Sequence, residues 1–236
     1  MESSKVKHLI FDFFGTLVQY NHGYLSGEKY FNTHQFLLKN QFLIDYGKFE
    51  IAFPSIFNQL ETQAKSTNRE FSMQQVVEGF FLKVFSIVPD QEMLKQFIEI
   101  YHSEWNRQIS YYPKLKPFLK NLKEKYTLSI ITNTHYKPLI QAHLNKMEVA
   151  DYFQLVLTSV ECGIRKPNPK IFRKALEQLQ AKPEAATFVG DSYSADYQGS
   201  LSVGMRPILI DPDGKYKRIV KDRVDSLFDI LLLASI

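Results

Sequence analysis

The sequence predicts an α/β fold, a parallel sheet covered by helices on both faces, with an all-helical module inserted into it. Three observations carry this prediction. Short apolar runs that end in a polar residue recur along the chain, the pattern of buried strands. Amphipathic stretches separate the later runs, and strands alternating with helices imply a parallel sheet. Between residues 19 and 112 the strand signal disappears and helical rhythm takes its place.

Taken in order, Lys7 to Phe11 is the first apolar run; it ends in Asp12, and Gly15-Thr16 turns the chain. The inserted segment then shows three apolar stripes. Phe53, Ile56, Phe57 and Leu60 form the first. Met73, Val76, Val77, Phe80, Phe81, Val84 and Phe85 form the second, opened by Ser72 and Gln75 as a capping box. Leu94, Phe97, Ile98 and Tyr101 form the third, after the break at Pro89-Asp90. Stripes at helical spacing are the core of a bundle, because burying that face is what an amphipathic helix requires. Leu115, Phe118, Leu119 and Leu122 then share a helix face, and Thr127 to Ile131 is a β-branched run ending in Thr132-Asn133. A helix through Leu139, Ile140, Leu144 and Met147 leads to a weaker strand at Leu155 to Leu157. A helix through Ile171, Phe172, Ala175, Leu176 and Leu179 follows. Thr187 to Val189 ends in Gly190-Asp191, and Pro207 to Ile210 ends in Asp211. The expected domains are therefore 1–18 with 113–236, and an insertion at 19–112.

Composition narrows the function. Cys162 is the single cysteine of the 236 residues, which rules out an intramolecular disulfide and a cysteine-rich zinc site. No apolar run approaches the roughly 18–20 residues of a membrane helix. The N-terminus has no small-residue cleavage pattern, so a cytoplasmic location is expected. The formal net charge is only +4, and Lys215, Lys217, Arg218, Lys221 and Arg223 make the one dense basic cluster. That cluster reads as a solvated face, so neither nucleic acid nor membrane is an expected partner. The expected partner is a small-molecule substrate.

In an open parallel sheet, ligands bind beyond the carboxyl ends of the strands. Asp12, Thr132-Asn133 and Asp191 sit at such ends, and the loop after the 155–157 strand leads to Lys166. Carboxylates converging there suit a hard cation, Mg²⁺ above all, held by one or two carboxylates together with phosphate and water. Lys166 and the metal would clamp a phosphoryl group, and Asp12 would be its nucleophile. Each residue alone is more often a cap, a turn or a surface charge; the set carries the reading through its order.

That order resembles the haloacid dehalogenase-like hydrolase superfamily. Asp12-Phe13-Phe14-Gly15-Thr16-Leu17 resembles its first motif and Ile131-Thr132-Asn133 its second. Gly163 to Phe172, with Lys166-Pro167-Asn168-Pro169 at its centre, resembles the third, and Val189 to Gly199 the fourth. The resemblance implies a Rossmann-like core with an α-helical cap inserted after the first motif. It implies Asp12 as nucleophile, Thr132 and Asn133 with Lys166 as phosphate-binding groups, and Lys166 as a catalytic charge. Asp12, the Phe14 backbone carbonyl and Asp191 would be metal ligands, with Ser192 and Asp196 as support.

Phe14 departs from the family's phosphatases, which carry a second Asp there to protonate the leaving group. General acid–base help is typically worth ~10²–10⁴-fold. A phosphatase lacking it suits acyl phosphates and other good leaving groups, or draws its acid from Tyr20, His22 or His135. An aromatic residue at this position resembles the 2-haloacid dehalogenases, which expel halide without a proton. They lack the metal-type Gly-Asp-Ser pattern, however, and use an early cap arginine, whereas Arg69 is the first arginine after the opening motif. A phosphonatase would need a Schiff-base lysine such as Lys29, Lys39 or Lys48. A binding or regulatory protein on the same fold is the alternative outside catalysis.

Overall fold

The computed structural model describes residues 6–20 and 29–233. The chain forms two compact units, residues 1–19 with 110–236 and residues 20–109. They are described in turn.

The first unit is built on one parallel sheet. Its strands are β1 (His8–Phe11), β4 (Thr127–Thr132), β5 (Phe153–Thr158), β6 (Ala186–Gly190), β7 (Arg206–Ile210) and β8 (Arg223–Val224). They lie in the order β5-β4-β1-β6-β7-β8. Register is set on both sides of β1, with Phe11 opposite Ile130 on one side and Val189 on the other. The order reverses at β1, which places a crevice at its carboxyl end between β4 and β6. Continuous apolar strands such as Leu9-Ile10-Phe11, all fully buried, are what a sheet covered on both faces demands. The covering helices are α5 (Leu115–Lys123), α6 (Lys137–Lys146) and α8 (Pro169–Gln178), with short turns α7 (Ser159–Cys162) and α9 (Gly199–Leu201). Helix α8 starts on the Asn168 cap with Pro169 in its first turn, and it packs Ile171, Phe172, Ala175 and Leu176 against Ile10, Ile131 and Phe188.

The second unit holds α1 (Phe31–Lys39), α2 (Tyr46–Thr67), α3 (Met73–Phe85) and α4 (Gln91–Trp105). Its core is aromatic: Phe53 lies 5.4 Å from both Phe80 and Phe97, ring centre to ring centre. The capping box opening α3 is complete, with the Gln75 N–H donating to Ser72 Oγ at 3.2 Å and the Ser72 N–H to Gln75 Oε1 at 2.8 Å. Helix α1 has no side-chain cap of its own. Buried Glu104 of α4 caps it instead, accepting from the Asn32 and Thr33 N–H groups at 2.8 and 2.9 Å and from Thr33 Oγ1 at 2.6 Å.

One expectation is corrected. The 19–112 segment, expected to lack strands, overlaps β2 (Val18–Tyr20) and contains β3 (Ile109–Tyr111), which pair as a two-stranded ribbon. Strands of three residues are too short to show alternation. Among the described residues no helix is long and apolar enough to cross a membrane.

Candidate active site

The crevice at the carboxyl end of β1 gathers the chemistry-bearing residues. The Asp12 N–H donates to the Val189 carbonyl at 2.9 Å, so the β1–β6 ladder continues one residue past the strand and fixes the Asp12 backbone. Lys166 arrives from the loop before α8 with its side chain only 1% exposed. Its ammonium lies 2.6 Å from Asp196 Oδ1 and 2.8 Å from Asp12 Oδ1. The second contact is an ion pair outside hydrogen-bond angles, since Oδ1 of Asp12 has no directed partner. Burial alone would neutralise such a lysine, but Asp12 and Asp196 outweigh it and raise its affinity for the proton.

Asn133 holds the same lysine by its backbone. Its Nδ2 donates to the Lys166 carbonyl at 3.1 Å and its Oδ1 accepts the Lys166 N–H at 2.8 Å. The Asn133 side chain, expected as a phosphate-binding group or as support for the site, spends both amide atoms on the Lys166 backbone. Thr132, at the end of β4, is 1% exposed, and its hydroxyl is buried without a partner. Thr16 has the same orphan hydroxyl within the first motif and was not singled out from sequence.

Asp191 follows β6 at the solvent-open rim, and one oxygen from each of Asp12, Asp191 and Asp196 lies within 4.8 Å of the others. Gly15 makes room for it. With φ at +81°, a Cβ there would stand 2.3 Å from Asp191 Oδ2, so both the backbone and the carboxylate exclude a side chain. Gly190 does the same for Asp196, whose Oδ2 would stand 2.4 Å from an added Cβ. Asp196 is fully enclosed; its Oδ1 faces Lys166 and its Oδ2 accepts the Ser192 N–H at 2.9 Å. Ser192 Oγ in turn accepts the Ala195 N–H at 3.1 Å, opening the π-helical segment Tyr193–Gln198 that carries Asp196.

Three carboxylates facing one ammonium leave two negative charges. Loss of water and then the charges of Asp12 and Asp196 push Asp191 up to about 7. Burial pushes Asp196 up to about 6, with Lys166 opposing and Asp12 adding. This donor set fits a hard divalent cation, which would cancel the excess. Both oxygens of Asp196 are engaged, so Asp12 and Asp191 are the carboxylates free to ligate.

These shifts have a measurable sign. Both carboxylates bind protons more firmly folded than at their ordinary 3.8, so they cost stability as pH rises from about 4 through about 7. His143, pushed down to about 4 by burial and Lys146, acts in the opposite sense. The difference between Asp191→Asn and wild type isolates the carboxylate. In EDTA the variant's relative Tm is expected to climb across that window, and Mg²⁺ is expected to raise the wild type but not the variant. A difference flat with pH would count against the charge excess.

Phe14 has aromatic neighbours. Its ring meets Phe13 at 5.0 Å and His143 at 6.1 Å, both edge-on. His143 is buried, its Nδ1 is 2.7 Å from the Tyr111 hydroxyl, and its Nε2 has no partner. His143 lies on α6 away from every motif, so its place in the sequence gives no sign of this contact. Of the substitute acids, His135 is half-buried in the turn between β4 and α6, Tyr20 packs edge-on against Trp105 at 6.1 Å, and His22 lies outside the described residues. Lys29, Lys39 and Lys48 are all exposed, whereas Schiff-base lysines are activated by desolvation.

Comparison with known proteins agrees with the fold. A glyceraldehyde 3-phosphate phosphatase from Pyrococcus furiosus is 38% identical over 105 residues, covering 44% of this chain and 42% of the relative. The chain spans less than half the length of the first curated relatives it matches. The solved structure of a 2-haloacid dehalogenase from Pseudomonas syringae pv. Tomato superposes with a TM-score of 0.73 at 23% identity, covering 96% of this chain and 97% of the other. That of a HAD phosphatase from Thermococcus onnurineus gives 0.65 at 25% identity, covering 98% and 99%. The family model for haloacid dehalogenase-like hydrolases matches residues 9–210, and with the parallel sheet and its reversal at β1 this places the chain in the haloacid dehalogenase-like hydrolase family.

Proposed function

We infer that this chain is a Mg²⁺-dependent phosphatase acting on a small phosphorylated metabolite or an acyl phosphate, through an aspartyl-phosphate on Asp12. The observation that carries the reading is the buried Lys166 ammonium between Asp12 and Asp196, with Asp191 completing a cluster of three carboxylates that suits a divalent cation. Asp12, Asp191 and the Phe14 carbonyl would hold the metal, which when bound supplies charge neutralisation for the incoming phosphate.

The chain's own residues do the rest. Asp12 attacks phosphorus through the oxygen not engaged by Lys166, and the bond from phosphorus to the leaving oxygen breaks. That oxygen departs as a carboxylate or takes a proton from water. A water molecule then cleaves the aspartyl-phosphate, releasing phosphate and restoring Asp12. Lys166 pairs with Asp12 at 2.8 Å and offers its remaining N–H to a phosphoryl oxygen. Thr132 donates its unpaired hydroxyl to another, satisfying an orphan group. Asp196, held by Ser192, and Asn133 fix the lysine from two sides. The helical unit would act as the cap that selects substrate and excludes water. The test is phosphate release with and without Mg²⁺ from an aryl phosphate, acetyl phosphate and metabolite phosphates.

Phe14 and its neutral aromatic neighbours favour a second reading, the expulsion of halide, which leaves without a proton. Chloride release from 2-chloropropionate independent of metal would establish it. No turnover in either assay would leave a binding protein.

Phe14→Asp separates these cases. The substitution puts a carboxylate at the position where the family's phosphatases carry their second Asp. Turnover of alkyl phosphates is expected to rise about 10–100-fold, with aryl phosphates nearly unchanged, because only a poor leaving group needs the proton. An unchanged alkyl-to-aryl ratio would mean that another residue already supplies it.

A further inference from the structure

The loop after β7 is a built structure carrying unpaired positive charge. Asp211, 5% exposed, accepts the N–H groups of Lys215 and Tyr216 at 2.9 and 3.0 Å and Nε of Arg223 at 3.1 Å. Arg223 also donates to the Asp211 carbonyl at 2.6 Å, so one residue ties both ends of the loop. Val220, 3% exposed, plugs its middle into the core. The Tyr216 ring stacks on Tyr193 at 4.4 Å and 14°, and Tyr193 stacks on Tyr197 at 5.7 Å and 16°. Tyr193 stands two residues after Asp191, so the stack pins the loop to the segment that leaves the crevice.

Lys215, Lys217, Arg218 and Lys221 are all exposed on this loop, and none forms an ion pair among the described residues. The nearby acids are committed: Asp211 to the loop and Arg223, and Asp222 to Arg206 at 3.0 Å. Asp225 is exposed but pairs with Arg223, and Asp213 is exposed as well. β7 is parallel to β1 and β6, so its carboxyl end opens on the same sheet edge as Asp12 and Asp191.

We propose that this loop is a second anion subsite, so that the preferred substrate is a phosphate ester carrying another anionic group, a second phosphate or a carboxylate. The proposal rests on the phosphoryl reading above and names its substrate class. A fixed cationic rim draws an anionic substrate in and holds its far end. Four cations in seven residues match a small anion, while nucleic-acid binding commonly takes about six to ten phosphate contacts.

The test uses the full chain with Mg²⁺ and four substrates: an aryl phosphate, a sugar monophosphate, the matching sugar bisphosphate and a phosphorylated hydroxy acid. The two doubly anionic substrates are expected to exceed the monophosphate in kcat/KM by about tenfold or more. The triple variant Lys217→Gln, Arg218→Gln, Lys221→Gln is expected to erase that preference through KM and to flatten the salt dependence. Lys120→Gln, Lys123→Gln, Lys125→Gln removes equal charge beside the amino end of β4, the opposite sheet edge, and is expected to keep the preference. Equal losses for both substrate classes in the loop variant would overturn the proposal. So would loop-dependent retention on phosphatidylserine vesicles without any kinetic preference, which would assign the charge to a lipid surface. No phosphate release from any of the four would sink the phosphoryl reading itself, and the proposal with it.

Discussion

Asp12→Asn is expected to abolish turnover by at least about 10⁴-fold while leaving the fold intact. The amide matches the carboxylate in size, and the backbone there is held by the ladder bond to Val189. Two effects on stability oppose each other. Lys166 loses one of its two counter-charges, which are only 2.6 and 2.8 Å away. The remaining carboxylates, Asp191 and Asp196, lose a repulsive neighbour that helps to raise both. Their near cancellation predicts a small change in Tm. The same substitution leaves two carboxylates against one ammonium, so Mg²⁺ should stabilise the variant less than the wild type. The measurement is single-turnover phosphate release beside thermal unfolding with and without Mg²⁺. Residual activity above about 1% of wild type would remove Asp12 from the covalent role.

The fold was legible because its strands are buried on both faces and end in polar residues. Asp12, Thr132 and Asp191 stand where apolar runs stop, and parallel strands bring such ends to one edge. What escaped notice was set by groups distant in sequence. Helix α1 has no local cap, and Glu104, more than 70 positions later, supplies it. Asn133 carried no visible sign that both its amide atoms would be taken by the Lys166 backbone. Gly15 looked like a turn residue, yet the Asp191 carboxylate also requires the missing Cβ. The stacking of Tyr216 on Tyr193 left no local sign either, although the basic side chains around it are exposed, as a solvated face requires. Spacing reports strand ends; side chains that meet across 20 or 30 residues do not leave a period.

Lys166→Met is expected to cost both activity and stability, and the two losses separate the roles of the charge. The ammonium is enclosed, with Asp12 and Asp196 on one side and the Phe188 ring 5.2 Å away. Methionine keeps the length of the chain and suits the ring, so packing is nearly conserved. What disappears is the ammonium that pairs with Asp12 and Asp196. Removing one partner of a buried ion pair costs about 3–5 kcal/mol, and at this chain length that is roughly 6–20 °C in Tm. The loss is expected to shrink as pH falls, because protonating Asp196 and Asp191 relieves the repulsion that Lys166 had offset. Mg²⁺ should stabilise the variant at least as strongly as the wild type, since the charge excess at the carboxylates has grown. Turnover should still fall by about 10³-fold or more, because no metal replaces a donor held by Asn133 and Asp196 beside the phosphoryl group. Thermal unfolding from pH 4.5 to 8, with EDTA and with Mg²⁺, and turnover on an aryl phosphate measure each part. A variant that loses its response to Mg²⁺ along with its activity would show that Lys166 maintains the carboxylate cluster rather than acting on the substrate.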